Sequence, residues 1–335
     1  QDPCSPELPK EAFEGICSAV DGCKVLVVAA SVSCQGRHAE ISRELRRGLG
    51  LWALRVNTAS GLRGRHGERI QVQLHLEDDR SDANEVRRIY ANFTSRSLAH
   101  VLVGPYSSEL SLAAAEATEG GELMLLLPAA ASSRIFEQGW SHILGLSPSA
   151  HGYMVDALQH AHARGARSVV LAQGAGDFAS AVCEGAAAAA EALSMSVQGN
   201  LSISHREAAL QLQTLRYSKP DVVIACGHLQ EVSLWTVFAL AMDMNPKAMF
   251  LTHATHPNFI QMLKPENANY ISGPVAWAPE LSDVCQGCRI FANGSDFAEA
   301  YELRFSQIAQ YQSAQAAAAG ILFLEAVIRA GSYDP

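Results

Sequence analysis

Ala99-His-Val-Leu-Val103 runs straight into Gly104-Pro-Tyr-Ser-Ser108 and then into Glu109-Leu-Ser-Leu-Ala-Ala-Ala115. The first five residues form a short apolar run of the kind a buried strand uses, Gly-Pro marks a turn, and the remainder suits a helix. A strand ending in a serine-bearing turn that opens a helix gathers N–H groups, hydroxyls and the positive end of a helix dipole at one point. That combination suits a carboxylate or another anionic oxygen. The plainer reading, that Ser107 and Ser108 only cap the helix, stands beside it.

Strand, turn and helix in this order are the repeating unit of a parallel sheet covered by helices, and the unit recurs on both sides of residue 104. Upstream lies an apolar strand at Lys24–Ala30, then a helix carrying Ile41, Leu45, Leu49, Trp52 and Val56 at steps of four and three, which is one buried face. Ile70, Val72, Leu74 and Leu76 alternate with polar residues and predict a strand exposed on one side, and Asp82 is placed to cap a helix through Val86, Ile89, Tyr90 and Phe93. Downstream, strand Leu123–Leu127 meets Pro128-Ala-Ala-Ala-Ser132-Ser133, and the series restarts after Ser147-Pro148 with helix Ala150–Ala163, strand Ser168–Ala172 and helix Phe178–Leu193. A strand near Met195–Ser202, helix Glu207–Tyr217, strand Asp221–Cys226, helix Glu231–Met242 and strands Ala248–Leu251 and Tyr270–Val275 follow, then helices at Asp296–Gln307 and Ser313–Ala330. Two βα series of similar length imply two sheets, and 335 residues exceed what one core usually holds.

A hydrophobic content of 48% with 18% charged residues is that of an ordinary globular chain, and a net charge of -9 with scattered basic residues excludes a nucleic-acid surface. Val232–Met242, the best apolar run read from the sequence, stops at Asp243 short of a membrane span, so the chain is expected to be soluble. No n-region and h-region open it, and Gln1 is compatible with a mature N-terminus after removal of a signal peptide. Eight cysteines include Cys4, Cys17, Cys23 and Cys34 near the start and the close pair Cys285 and Cys288; these six are the disulfide candidates. With the sequons at Asn92, Asn200 and Asn293 they favour an oxidising, extracellular or periplasmic location.

In order and spacing, Glu77-Asp-Asp79, Val103-Gly-Pro-Tyr-Ser-Ser108, Leu127-Pro-Ala-Ala-Ala-Ser-Ser133, Pro220-Asp-Val-Val-Ile224 and Glu325-Ala-Val-Ile-Arg-Ala-Gly-Ser332 resemble the type I periplasmic binding-protein superfamily. The likeness is to its leucine- and amide-binding branch, related to receptor ligand-binding ectodomains, and it runs from Lys24 to about Ser332. The resemblance implies two Rossmann-like α/β lobes with parallel sheets, joined by crossover strands into a clamshell that closes on a ligand held between them. It implies a Cys-containing N-terminal segment 1–23, lobe 1 at 24–147, lobe 2 at 148–276, a loop and helix at 277–311 linking the lobes, and a helix at 312–335 returning to lobe 1, with the family's C-terminal strands expected beyond Pro335. It places Tyr106, Ser107 and Ser108 at the ligand carboxylate, Ala130, Ala131 and Ser132 in a second ligand loop, and Phe178, His228 and His253 on the wall of lobe 2. The acidic residue with which amino-acid binders meet the ligand amine aligns with Ala254, so Glu231 or Asp177 must supply the charge, or the ligand is an amide, a carboxylate or a small aromatic acid.

Other chemistries find little support. Gly174-Ala-Gly176-Asp-Phe-Ala179 fits G-x-G-x-x-A, but the acidic residue expected about 20 positions later is missing, so no nicotinamide or flavin cofactor is expected. His253-x-x-His256 and His160-x-His162 lack a third metal ligand, and neither a G-x-S-x-G elbow nor a P-loop occurs. The expectation is a non-enzymatic small-molecule binder without cofactor or metal, acting as the sensory ectodomain of a receptor or as a secreted glycoprotein. It would pair through lobe 1 as a homo- or heterodimer or report to a membrane-anchored signalling or transport partner. The alternatives are the solute-binding component of an ABC-type transporter and a structural module that uses the fold without a ligand.

Overall fold

A computed structural model describes residues 3–4, 7–13, 22–58, 62–203, 219–281 and 289–332. The expected helix at 207–217, and Cys17, Cys285 and Cys288, lie outside these residues. The chain separates into two compact units: unit 1 is Gln1–Ala130, Ile135–Ser147 and Trp277–Pro335, and unit 2 is Ala131–Arg134 and Pro148–Ala276. Residues 131–134 thus cluster with the second unit and 277–311 with the first.

Unit 1 is built on strands β1 (Cys23–Val32), β2 (Arg69–Asp78), β3 (Val101–Val103), β4 (Leu125–Leu127) and β5 (Ile143–Gly145), all parallel, in the order β2-β1-β3-β4-β5. Its helices are α1 (Ala39–Thr58), α2 (Ala83–Ser95) and α3 (Ser108–Thr118). Asp82 caps α2 as expected, its Oδ1 accepting from the N–H groups of Asn84 at 2.8 Å and Glu85 at 3.0 Å. The alternation in β2 is imperfect, because Gln71 is buried along with Ile70 and Val72. Strand β5, Ile143-Leu-Gly145, is three residues long, too short for periodicity to reveal.

Unit 2 repeats the plan. The short helix α4 (Ser133–Phe136) begins in it and ends in unit 1, and α5 (Val155–Ala163) then precedes β6 (Ser168–Gln173), α6 (Asp177–Ala192), β7 (Ser196–Ser202), β8 (Val222–Cys226) and α7 (Leu229–Ala241). Next come β9 (Ala248–Leu251), α8 (Pro257–Leu263), α9 (Pro265–Ala268) and β10 (Ile271–Ser272). The order is β10-β9-β8-β6-β7, again wholly parallel, so each unit places its first strand beside its third and its second at the edge. The core of unit 2 gathers Leu158, Val169, Leu171, Phe178, Val182, Val222 and Ile224.

Helices α10 (Gly294–Phe305) and α11 (Tyr311–Ala330) complete unit 1. By length and composition α11 is apolar enough to cross a membrane, which corrects the reading that no such run exists. Here it is a core helix: Ala316, Ala317, Ala319 and Leu324 are buried, and Gly320 lies against Trp52 of α1.

Candidate functional site

In a doubly wound sheet of this strand order the polypeptide leaves the first and third strands in opposite directions, and ligands bind at the carboxyl ends of that pair. In unit 1 the pair is β1 and β3. The segment after β1 carries His38, and the turn after β3 carries Tyr106 and Ser107. Ser107 occupies the N-cap position of α3, yet its side chain makes no capping hydrogen bond. Its Oγ lies 3.3 Å from His38 Nε2, and both residues are buried. The capping explanation for Ser107 therefore fails. Tyr106 meets the His38 ring edge-on at 5.4 Å.

His38 is held from several sides. Its N–H donates to Ser81 Oγ at 3.2 Å, and Arg37 Nε donates to its Nε2 at 3.1 Å, which makes that nitrogen an acceptor. Ser81 is itself fixed by buried Asp79, whose Oδ1 accepts from the Ser81 N–H and the Ser33 hydroxyl while Oδ2 accepts from the Ser31 hydroxyl. Burial, reinforced by the neighbouring Arg37, pulls the His38 pKa down to about 4, so the ring is neutral at physiological pH. The Ser107 proton is then directed either at His38 or at a ligand oxygen, not at both. Nothing in the sequence motif singled out His38; its role depends on β1 and β3 being neighbours.

The second expected loop divides. Ala130 is buried in the unit 1 core, whereas Ala131 belongs to the unit 2 core, with its carbonyl accepting from the Ala150 N–H at 2.7 Å. Ser132 is buried.

In unit 2 the corresponding pair is β6 and β8. Gly176, at φ +92°, takes the left-handed conformation that delivers Phe178 to the first turn of α6. The Phe178 ring lies 5.5 Å from His228, which follows β8, and 6.2 Å from His253, which follows β9; Tyr153 approaches it edge-on at 5.9 Å. Phe178 is also part of the core cluster, so it serves both packing and the strand-end surface. His253 is buried at φ +62°, a conformation uncommon outside glycine and concentrated at functional positions. Burial, with smaller contributions from His228 and His256, drives its pKa down to about 3, and burial lowers that of His256 to about 4. This surface is aromatic and its buried imidazoles are uncharged.

Each carboxylate named as a substitute for the missing acid already has a partner. Glu231 Oε2 accepts from the His228 N–H at 3.0 Å in a capping box at the start of α7, and Asp177 is paired with Arg134 at 2.9 Å. Ala254 is buried, and a Cβ added at Gly273 would lie 3.0 Å from its Cβ. His160 faces Arg164, and no metal-binding group of three His, Cys, Asp or Glu residues occurs among the described residues.

Of the cysteines expected to pair, Cys4 and Cys34 are bonded to each other and Cys23 is disulfide-bonded. The Cys183–Cys226 bridge was not anticipated, because its members lie 43 residues apart on a helix and a strand and each passes for an apolar core residue. Asn200 is exposed on edge strand β7, Asn92 is half-buried on α2, and Asn293 caps α10 through its Oδ1.

Two parallel five-stranded sheets, each with polar or aromatic side chains gathered where its first and third strands end, match the architecture of a non-catalytic binding protein. The Periplasmic binding protein family matches residues 26–335, and the chain belongs to that family. Its fold is similar to that of the branched-chain amino acid transporter substrate binding protein LivJ from Streptococcus pneumoniae in complex with isoleucine, with 17% identity, a TM-score of 0.77, and 92% of this chain and 86% of that one covered. The leucine binding protein LivK from Thermotoga maritima is similar at 18% identity and a TM-score of 0.76, with 92% and 84% covered. A solute binding protein of an ABC transporter from Rhodopseudomonas palustris in complex with 3,4-dihydroxybenzoic acid is similar at 15% identity and a TM-score of 0.72, with 92% and 82% covered.

Proposed function

We propose that this chain captures a small carboxylate- or amide-bearing molecule outside the cytoplasm and works as the solute-binding component of a transporter. The observation that carries the reading is Ser107, a buried hydroxyl at a helix N-terminus and sheet switch point that caps nothing and faces a neutral imidazole. Unit 2 refines the ligand class. A buried ammonium needs a carboxylate partner, and Ala254 supplies none while Glu231 and Asp177 are engaged elsewhere. The Phe178, His228 and His253 surface instead suits a flat or apolar group with hydrogen-bonding oxygens. Transport partners are supported by the similar solute-binding proteins, two of which are transporter components for isoleucine and for an aromatic acid.

A calorimetric screen of leucine, isoleucine, benzoate, 3,4-dihydroxybenzoate and short aliphatic amides tests the ligand class. Binding of the aromatic acids or amides with little response to the aliphatic amino acids is expected. Tight leucine binding with none of the others would overturn it.

A second reading, a glycosylated receptor ectodomain that pairs through unit 1, is favoured by the exposed sequon at Asn200 and the disulfides. A mass loss on endoglycosidase treatment together with a dimer in sedimentation would support that reading over the transporter one.

A further inference from the structure

The unexpected bridge in unit 2 stands where it bears on recognition. Cys183 lies on α6 five residues after Phe178, and Cys226 ends β8 two residues before His228; the two are bonded with their Cα atoms 5.9 Å apart. The bridge therefore fastens together the two elements that carry the Phe178 and His228 rings, which sit 5.5 Å apart. Both cysteines are buried, under the switch point rather than at the surface. The turn after β8 is tied to β6 through Gly174 N–H donating to the Cys226 carbonyl at 2.7 Å, and to the end of β9 through Thr252, whose Oγ1 accepts from Gly227 N–H and donates to the Gly227 carbonyl. The bridge adds a covalent tie from that turn to α6.

We propose that Cys183 and Cys226 form a redox-gated positioning device that assembles the ring pair only after oxidation, confining ligand capture to an oxidising compartment. The inference rests on the reading of Phe178 and His228 as ligand-contacting residues. In the gating step the two thiols lose two protons and two electrons, the S–S bond forms, and a disulfide exchange partner accepts the electrons and leaves as two thiols. In the reduced chain the sulfurs must separate from bonding distance, about 2 Å, to van der Waals contact at roughly 3.5–4 Å. A close-packed core has no space to absorb that change, so the start of α6 moves away from the turn after β8 and the rings part.

Histidine-selective NMR of the full chain decides this without any ligand. The His228 ring signals are assigned by their loss in His228→Gln, and the contribution of the Phe178 ring current is defined by Phe178→Leu. Reduction with dithiothreitol, and separately the Cys183→Ser/Cys226→Ser variant, whose hydroxyl oxygens likewise cannot approach to bonding distance, should both remove that contribution while amide dispersion from β6 to β9 persists. Oxidised glutathione should restore it in reduced wild type and not in the double variant. Benzoate or amide affinity measured on the same samples should fall at least tenfold and recover in parallel.

An unchanged His228 signal with both thiols shown free by alkylation and mass spectrometry would overturn the inference. So would collapse of the whole sheet on reduction, since the bridge would then hold the fold rather than the rings. A signal that moves without any change in probe affinity would equally overturn the gating. If oxidised protein binds none of the probes, the ligand reading fails and the NMR comparison still decides the positioning role.

Discussion

In the proposed site Ser107 anchors the ligand oxygen, and its behaviour separates a ligand group from a helix cap. A lost cap weakens a helix by about 1 kcal/mol, but this hydroxyl accepts from no helix N–H, so Ser107→Ala should leave unfolding midpoints within a few tenths of a kcal/mol of wild type. Affinity should respond instead. A hydrogen bond to a charged oxygen contributes about 1.5–3 kcal/mol, equivalent to roughly 10- to 150-fold weaker binding of the acid identified by calorimetric screening. Equal affinity in the two proteins would remove Ser107 from the site. His38→Leu extends the test: with no acceptor in place of the imidazole, the hydroxyl proton has one competitor fewer, and binding should tighten while Tyr106 and Ser107 stay buried.

At the scale of elements, unit 1 depends on how closely α11 approaches α1. A Cβ built at Gly48 of α1 would sit 2.0 Å from the Ser313 carbonyl oxygen, and one at Gly320 of α11 would sit 2.2 Å from the Trp52 indole. Gly→Ala in an exposed helix stabilises by up to about 1 kcal/mol; here the clash reverses the sign, and overpacking costs about 1–3 kcal/mol. Chemical denaturation of Gly48→Ala and Gly320→Ala should show both destabilised, and a stabilised variant would mean that the helices do not pack this tightly. The same contact accounts for the apolar composition of α11, which the sequence reading passed over as a candidate span. Helix α11 reads as apolar because it is pressed into α1, so its composition alone does not distinguish a core helix from a membrane span. Strands β1, β2, β6 and β8 were legible because each is a long apolar or alternating run, and β10 falls within the expected strand Tyr270–Val275, whereas β5 is too short to carry a periodic signal and gains its strand character from its neighbours. The candidate site was legible where a motif places it, at Ser107, Phe178 and His228. It was not legible at His38, or at Glu231 and Asp177, whose hydrogen-bond and ion-pair partners only the fold reveals.

For the whole molecule, the titrating groups divide unequally between the units and set which one fails first in acid. A buried histidine held neutral has a folded pKa below its unfolded value near 6.5, so the unfolded chain takes up the proton first. Stability is then lost as pH falls from about 6.5 toward the folded pKa, at up to roughly 1.4 kcal/mol per pH unit and histidine. Among the described residues unit 2 holds two such groups, His253 at about 3 and His256 at about 4. Its Asp221, held down to about 2 chiefly by the Lys247 hydrogen bond and the Arg167 N–H, adds a further loss only below the ordinary carboxylate range. Unit 1 holds His38 at about 4, and Glu7, which Arg47 and Arg46 lower against the opposing effect of burial. Against these, burial raises Glu40, Glu44 and Asp79, and a carboxylate with a raised folded pKa gains stability as pH falls through it. Between pH 6.5 and 5 the loss should approach about 3 kcal/mol in unit 2 and at most about 2 kcal/mol in unit 1. Of the four tryptophans only Trp235 lies in unit 2, while Trp52 is buried in unit 1. Fluorine NMR of 5-fluorotryptophan protein in urea at pH 7 and pH 5 therefore follows the units separately. The Trp235 midpoint should fall further, and His256→Asn, whose Oδ1 replaces the His256 Nδ1 that accepts from the Asn258 N–H at 3.2 Å to cap α8, removes one proton site and should cancel about half of that fall. A larger shift at Trp52 would show that the raised carboxylates of unit 1 do not offset His38 and that the acid sensitivity lies in the other half of the chain.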